Sequence, residues 1–339
     1  PLIITRSTVT APAIISGAPG TGGDPSLIPK LHGKVLVIKD FTVMINSKDA
    51  DEVYSILRDA YDGKIEKHYG TLHRKYKSLF GILAGVTYII EKVGSQGSVL
   101  GERFLRYKAS IPLRASRKEL VMKSMKNIGK SQKLKSELKK AASEVLDYPV
   151  NKSELPEVPD WVFDRIFYLS EWVASVRGMV DRDIYTRNLL YKPVSEIGTR
   201  LGKQLLSLAL GISIFRRLER VDSDVLKIIS RVARDTVPGL TEEFMRKLYV
   251  KAGGEYVSVG DLGKWMKMSD QNVRNSLEDF NLMKLVQKES VNSGERGSGG
   301  GVSVGRSTGG MSRKRALVKW RMSPGMFNYT NRSGVYNVL

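Results

Sequence analysis

The sequence predicts an α/β domain joined to an all-α region, with a small mixed domain after it. Three observations carry that reading. Residues 34–42, K-V-L-V-I-K-D-F-T, hold four consecutive apolar residues, three of them β-branched, the pattern of a strand buried on both faces of a sheet. Between residues 116 and 252 apolar positions recur at three- and four-residue steps, the period of helices. From Gly254 two short helical patterns precede two strand patterns that flank a Gly/Ser-rich stretch. These shifts set expected domains at 1–112, 113–253 and 254–339.

A length of 339 residues leaves room for about two or three domains. At 41% hydrophobic and 27% charged residues the chain has a globular composition, which excludes a disordered one. Lys and Arg outnumber Asp and Glu by 55 to 35, and the formal net charge of +20 points to a polyanionic partner. Cysteine is absent, so there is no disulfide frame, thiolate nucleophile or Cys-bound zinc, and a reducing compartment is expected. His32, His68 and His73 show no i,i+4 pair of the H-E-x-x-H kind, so neither a metalloprotease nor a histidine metal site is expected. No apolar run reaches the length of a membrane span, so no membrane partner and a cytoplasmic location are expected.

Residues 2–5 read as a short strand leading to a helix N-cap at Thr10. Residues 17–24, G-A-P-G-T-G-G-D, have the glycine spacing of a phosphate-binding P-loop, G-x-x-x-x-G-K-[ST]. However, Gly23 and Asp24 stand where the lysine and the hydroxyl belong, and Pro25 and Pro29 interrupt the helix that should follow. The stretch is therefore read as a look-alike loop. In residues 34–42 the acid Asp40 leaves the strand at its carboxyl edge, where open α/β sheets bind nucleotides. An apolar strand ending in an acid is a Walker B arrangement, whose carboxylate holds Mg²⁺ or polarises water at a nucleoside triphosphate. The alternative is a core strand capped by a solvated ion pair.

Ser47 is expected to cap a helix over residues 48–61, with Val53, Ile56, Leu57 and Ala60 on one face. A turn at Asp62 and Gly63 and a hairpin over 64–69 and 75–87 feed a second buried strand, 79–87, which ends on the hydroxyl of Thr87. A Gly/Ser-rich turn at 94–98 precedes L-G-E-R-F-L-R-Y at 100–107.

The segments at 34–42, 57–63 (L-R-D-A-Y-D-G), 80–87 (F-G-I-L-A-G-V-T) and 100–107, in this order, resemble the second half of a phage or plasmid AAA+ ATPase. The general plan is similar to that of the minichromosome-maintenance helicases. The resemblance covers residues 1–110 closely and the helical region loosely. It implies a partial P-loop-type AAA+ core with a helical lid, ATP and Mg²⁺ as ligands, and a homo-oligomer such as a ring, in a bacterial or archaeal host cell. On it Asp40 is the Walker B acid and the Mg²⁺ ligand, with Lys39 beside it at the nucleotide. Thr87 is the sensor-1 residue, Arg103 the arginine finger that reaches a neighbouring subunit's nucleotide, and Arg106 the second candidate finger. Two departures stand out. Lys39-Asp40 replaces the usual Asp-Glu pair, which leaves the metal-binding and water-activating roles undivided, and the true P-loop is expected upstream of Pro1.

Residues 116–146 read as a basic helix or helix pair. Residues 102–152 carry 14 Lys/Arg against 5 Asp/Glu, either a solvated face or one turned to nucleic acid. After a Pro-marked linker at 155–159, Asp160 caps a helix over 161–176 with Val162, Ile166, Leu169, Trp172 and Val173 apolar. A helix over 194–215 has Ile197, Leu201, Leu205, Leu208 and Ile212 at helical steps. On the resemblance its Arg200 takes the sensor-2 position over the γ-phosphate; the plainer reading is a surface arginine on a core helix. Helices over 222–236 and 241–252 complete the block.

The remainder reads as a winged helix: helices over 258–266 and 269–280, a strand at 285–288, a wing at 290–312 and a return strand at 316–322. The second helix would turn Gln271, Asn272, Arg274 and Asn275 to a major groove, and Arg313, Lys314, Arg315 and Lys319 add positive charge. Residues 284–332 carry 10 Lys/Arg against 2 Asp/Glu, which favours DNA over a protein partner. Two functions are expected from these features. The first is the C-terminal part of an AAA+ DNA helicase or translocase-like ATPase in phage or plasmid replication. The second is a non-catalytic winged-helix DNA-binding regulator or replication adaptor with a degenerate nucleotide fold. A protein-interaction scaffold leaves the basic wing unexplained.

Overall fold

The computed structural model describes residues 2–17, 23–69, 72–91, 103–109, 114–146, 155–178, 180–183, 185–186, 188–193, 196–291 and 317–336. The expected turn at 94–98, nearly all of the expected wing, and Arg313, Lys314 and Arg315 lie outside them. The chain is mixed α/β and divides into two compact units, 1–104 and 105–339.

The first unit runs β1 (Ile3–Arg6), α1 (Ala11–Ile14), α2 (Ile28–Leu31), β2 (Val35–Ile38), α3 (Thr42–Ile45), α4 (Ala50–Tyr61), β3 (Lys64–Tyr69), β4 (Leu72–Lys77) and β5 (Gly81–Ala84). Strands β1, β2 and β5 form a parallel sheet in the order β1-β2-β5, and β3 and β4 pair as an antiparallel hairpin. The register sets Ile4, Leu36 and Ile82 in one row. Leu36 and Ile38 on that face enter a core with Ile14, Ile15, Ile28, Leu31, Val53, Ile56 and Leu57.

The other face is open: Ile3 is 44%, Val35 37% and Leu83 64% exposed. Strand β2 is thus buried on one face, not on both as its apolar run suggested. Among the described residues, the helical residues that cover the sheet join the Leu36 and Ile38 side. Helix α4 buries the four expected residues but starts later than expected, with Asp49 at its N-cap. The Ser47 hydroxyl instead donates to the Met44 carbonyl and closes α3.

The second unit runs α5 (Arg114–Lys126), α6 (Ser131–Leu146), α7 (Asp160–Val176), α8 (Thr199–Phe215), α9 (Ser223–Thr236) and α10 (Gly239–Lys247), which passes into a π-helical turn, Leu248–Ala252. Then come β6 (Val257–Ser258), α11 (Val259–Met266), α12 (Asp270–Leu282), β7 (Val286–Val291), β8 (Leu317–Met322) and α13 (Pro324–Ser333). The three strands form an antiparallel sheet in the order β6-β8-β7. Side chains of Asp222, Ser258, Ser269 and Ser323 accept backbone N–H groups three residues on, which fixes the starts of α9, α11, α12 and α13.

Helix α8 begins at Thr199, five residues after the expected start. Gly198, its N-cap, donates its N–H to Glu171 Oε1 at 3.0 Å, and a Cβ there would stand 2.7 Å from that oxygen. One core joins Leu169, Trp172, Leu205, Ile229, Phe244, Leu277 and Trp320. It runs unbroken across residue 253, where the sequence suggested a boundary. Helix α13, which the sequence reading missed, packs on α7, and the chain after it places Tyr336 edge-on to Trp172 at 5.8 Å. No helix among the described residues is long and apolar enough to cross a membrane.

Candidate functional site

Parallel pairing sets the carboxyl ends of β2 and β5 side by side. Past the strands, the Gly85 N–H donates to Ile38 O at 3.0 Å and the Phe41 N–H to Gly85 O at 2.8 Å, so the ladder continues to the sheet edge. A Cβ on residue 85 would stand 2.8 Å from the Lys39 carbonyl oxygen, so glycine is what permits this approach. The result is that Thr87 reaches Thr42. Its N–H donates to Thr42 Oγ1 at 3.2 Å, and the two hydroxyls lie 3.3 Å apart. Asp40 Oδ1 accepts the Thr42 N–H at 3.0 Å, an Asx turn that fixes the carboxylate at the start of α3. Lys39, Asp40 and Thr87 are exposed.

This edge therefore carries one carboxylate and two hydroxyls. Such oxygen donors, open to water, fit Mg²⁺, which keeps several waters and takes one or two carboxylates. Asp40 and Thr87 are among the residues expected at this edge; Thr42 is not. Its signal was present in D-F-T, a hydroxyl two residues past the acid.

The look-alike loop does not fit phosphate in its described part. Asp24 accepts the Ser26 N–H at 3.0 Å and the Tyr76 hydroxyl at 2.5 Å, and Arg74 lies 3.6 Å away. Burial pushes its carboxyl up, but the hydrogen bonds from Ser26 and Tyr76 and the charge of Arg74 outweigh that and hold it below the ordinary aspartate range. A fixed anion there repels phosphate.

Two of the candidate cations, Arg103 and Arg200, are paired with carboxylates of their own units. Arg103 Nη2 lies 3.5 Å from Asp62 Oδ2, with the guanidinium 5.5 Å from the Tyr61 ring. Arg106 belongs to the second unit, where its backbone N–H donates to Thr236 Oγ1 at 3.1 Å. Arg200 pairs with Glu196, which also holds the buried Arg177.

In the second unit, α11 ends at Lys267 in the left-handed region (φ +56), and Ser269 opens α12. Val273, Leu277 and Phe280 face inward, which turns Gln271, Asn272, Arg274 and Asn275 outward. Gln271 Nε2 donates to Asn275 Oδ1 at 2.9 Å, so two amide-bearing side chains are aligned on one helical face. Lys319 lies half-buried on β8, opposite Glu289 and Ser258. No protein-family model matches this chain, and a search of the curated proteins found no match.

Proposed function

We propose that the chain is part of an AAA+-type, DNA-dependent ATPase, with Mg²⁺-nucleotide chemistry at the carboxyl edge of the first unit and DNA held by a winged helix in the second. The observation that carries this reading is the meeting of Asp40, Thr42 and Thr87 at the ends of neighbouring parallel strands, although 45 residues separate the two threonines. Bound Mg²⁺ supplies charge neutralisation at the transferred phosphoryl group. Asp40 provides the carboxylate that holds the ion, and the Thr42 and Thr87 hydroxyls hold and orient water at the same edge. A phosphate cradle with its lysine is not found among the described residues, so this reading requires it from elsewhere in the assembled protein.

For Arg103 to reach a neighbouring subunit's nucleotide it must leave Asp62. The pair is 3.5 Å long with Asp62 exposed and Arg103 partly covered, and a surface pair of this kind contributes about 0–1 kcal/mol, which an oligomer interface offsets. The order α10, β6, α11, α12, β7, β8, with the sheet order β6-β8-β7, supports the winged-helix reading. The outward face of α12 offers amides and a guanidinium suited to base edges and phosphates. Asp40→Asn and Arg103→Ala are expected to abolish most ATP hydrolysis while nucleotide still binds. Undiminished turnover in both variants would sink the reading.

A second reading is a non-catalytic DNA-binding regulator, acting as a replication adaptor with a degenerate nucleotide fold. The fixed Asp24 at the position of the P-loop hydroxyl favours it. ATP hydrolysis by the purified chain counts against it.

A further inference from the structure

We propose that Glu66, His68 and His73, on the β3–β4 hairpin, form a binding site for a borderline divalent transition metal of the Zn²⁺ class. The site is separate from the nucleotide edge and does not rest on that reading. The antiparallel register pairs His68 with His73 and Glu66 with Lys75. Residues directly opposite, and residues two apart along a strand, share a face, so both imidazoles and the carboxylate emerge together. The imidazole rings stack with centroids 3.9 Å apart and planes 10° from parallel. Glu66 Oε1 lies 2.7 Å from His73 Nε2 and 3.8 Å from His68 Nε2, and ligand atoms of all three residues lie within 4.8 Å of one another.

Bond lengths of about 2.0–2.1 Å in a tetrahedral zinc site put ligand atoms about 3.3 Å apart. The cluster therefore closes on an ion by side-chain rotation, with the ladder of the hairpin unchanged. Lys75 Nζ lies 3.5 Å from Glu66 Oε2. It steadies one carboxylate oxygen while the other faces the imidazoles, the kind of outer contact that orients metal-binding carboxylates. Two imidazoles and one carboxylate suit Zn²⁺, Co²⁺, Ni²⁺ or Cu²⁺, whereas Mg²⁺ and Ca²⁺ take all-oxygen sites. All three residues are substantially exposed, so the remaining coordination positions stay open to water. The histidines have no helical spacing, and the expected hairpin did not by itself disclose the register that sets His68 opposite His73. His73 follows His68 by five positions, and the antiparallel register sets one opposite the other.

The test is calorimetric titration of the untagged full chain with Zn²⁺, together with visible absorption on adding Co²⁺. Native protein is expected to bind one equivalent and to show the intense bands of low-coordinate Co²⁺. His73→Ala should weaken binding at least about tenfold, and His68→Ala/His73→Ala should abolish it. His32→Ala should leave it unchanged, because His32 uses Nδ1 to accept the Leu79 N–H at 3.3 Å and is no part of the cluster. Exposure of the three residues lets the fold persist in the variants, checked by circular dichroism. Zn²⁺ binding that is equal in native and double-variant protein, or absent from native protein, would overturn the proposal.

Discussion

The two units bury apolar surface in opposite ways. The first lays a three-stranded parallel sheet over one core and leaves Ile3, Val35 and Leu83 exposed on the other face. The second gathers helices and a small antiparallel sheet around a single core from Val162 to Tyr336. Parallel sheets are usually covered on both faces, whereas the described residues of the first unit cover this one chiefly on the Leu36 and Ile38 side. Its helices α1, α2 and α3 have four residues each, too short to persist without tertiary packing. The consequence for function is direct. Asp40, Thr42 and Thr87 stand at the edge of a thin layer held by long-range pairing, whereas the outward face of α12 is anchored through Val273 and Leu277 to a deep core.

The largest expected effect falls on the second unit. Trp172 is fully buried, and Trp172→Ala should cost about 3–5 kcal/mol. Because one core spans residue 253, hydrogen exchange should show α7, α9 and α12 losing protection together while β1, β2 and β5 keep theirs. Retained protection in α12 would divide the second unit and break the comparison.

Next comes Gly85→Ala, expected to cost about 1–3 kcal/mol in the first unit by forcing β5 away from the Lys39 carbonyl. Urea unfolding should show that loss, and a crystal structure should show Thr87 withdrawn from Thr42. A smaller loss, about 1 kcal/mol, is expected when Ser269→Ala removes the N-cap of α12. Only the transition of the second unit should move in a denaturation scan.

The finest test is one of sign. Asp24, in the first unit, is held below its ordinary value, so it adds stability above the unfolded aspartate range, and that stability disappears as pH falls through the lowered folded value. Glu242, in the second unit, is pushed up by burial against the pull of Arg246, Arg234 and Lys108. Its ionised form costs stability above the raised folded value, and the cost vanishes as pH falls toward the unfolded glutamate range. At neutral pH Asp24→Asn should destabilise and Glu242→Gln stabilise, with both differences closing in acid. Urea midpoints across that range would show it, and equal signs for the two variants would refute the assigned environments.

Local chemistry made much of this legible in the sequence. Val53, Ile56, Leu57 and Ala60 mark the buried stripe of α4, and Ser258 and Ser269 announce the starts of α11 and α12. What escaped depended on distant partners. The apolar run of β2 does not reveal which face is covered, because residues of α1, α2 and α4 decide that. Arg103 carries no sequence mark of its pairing with Asp62, nor Arg200 of the competition between itself and Arg177 for Glu196. The stacking of His68 on His73 depends on strand register, a property of the pair of strands and not of either one.

The measurement that bears most directly on the central claim is ATP hydrolysis by the full protein in the presence and absence of duplex DNA, native against Asp40→Asn. The expected result is hydrolysis that DNA stimulates and that falls about a hundredfold or more in Asp40→Asn. DNA binding, read by fluorescence anisotropy, should be unchanged by that substitution and lost in Gln271→Ala/Arg274→Ala/Asn275→Ala. Hydrolysis at the same rate in native and Asp40→Asn protein would contradict the assignment of the sheet edge as the nucleotide site.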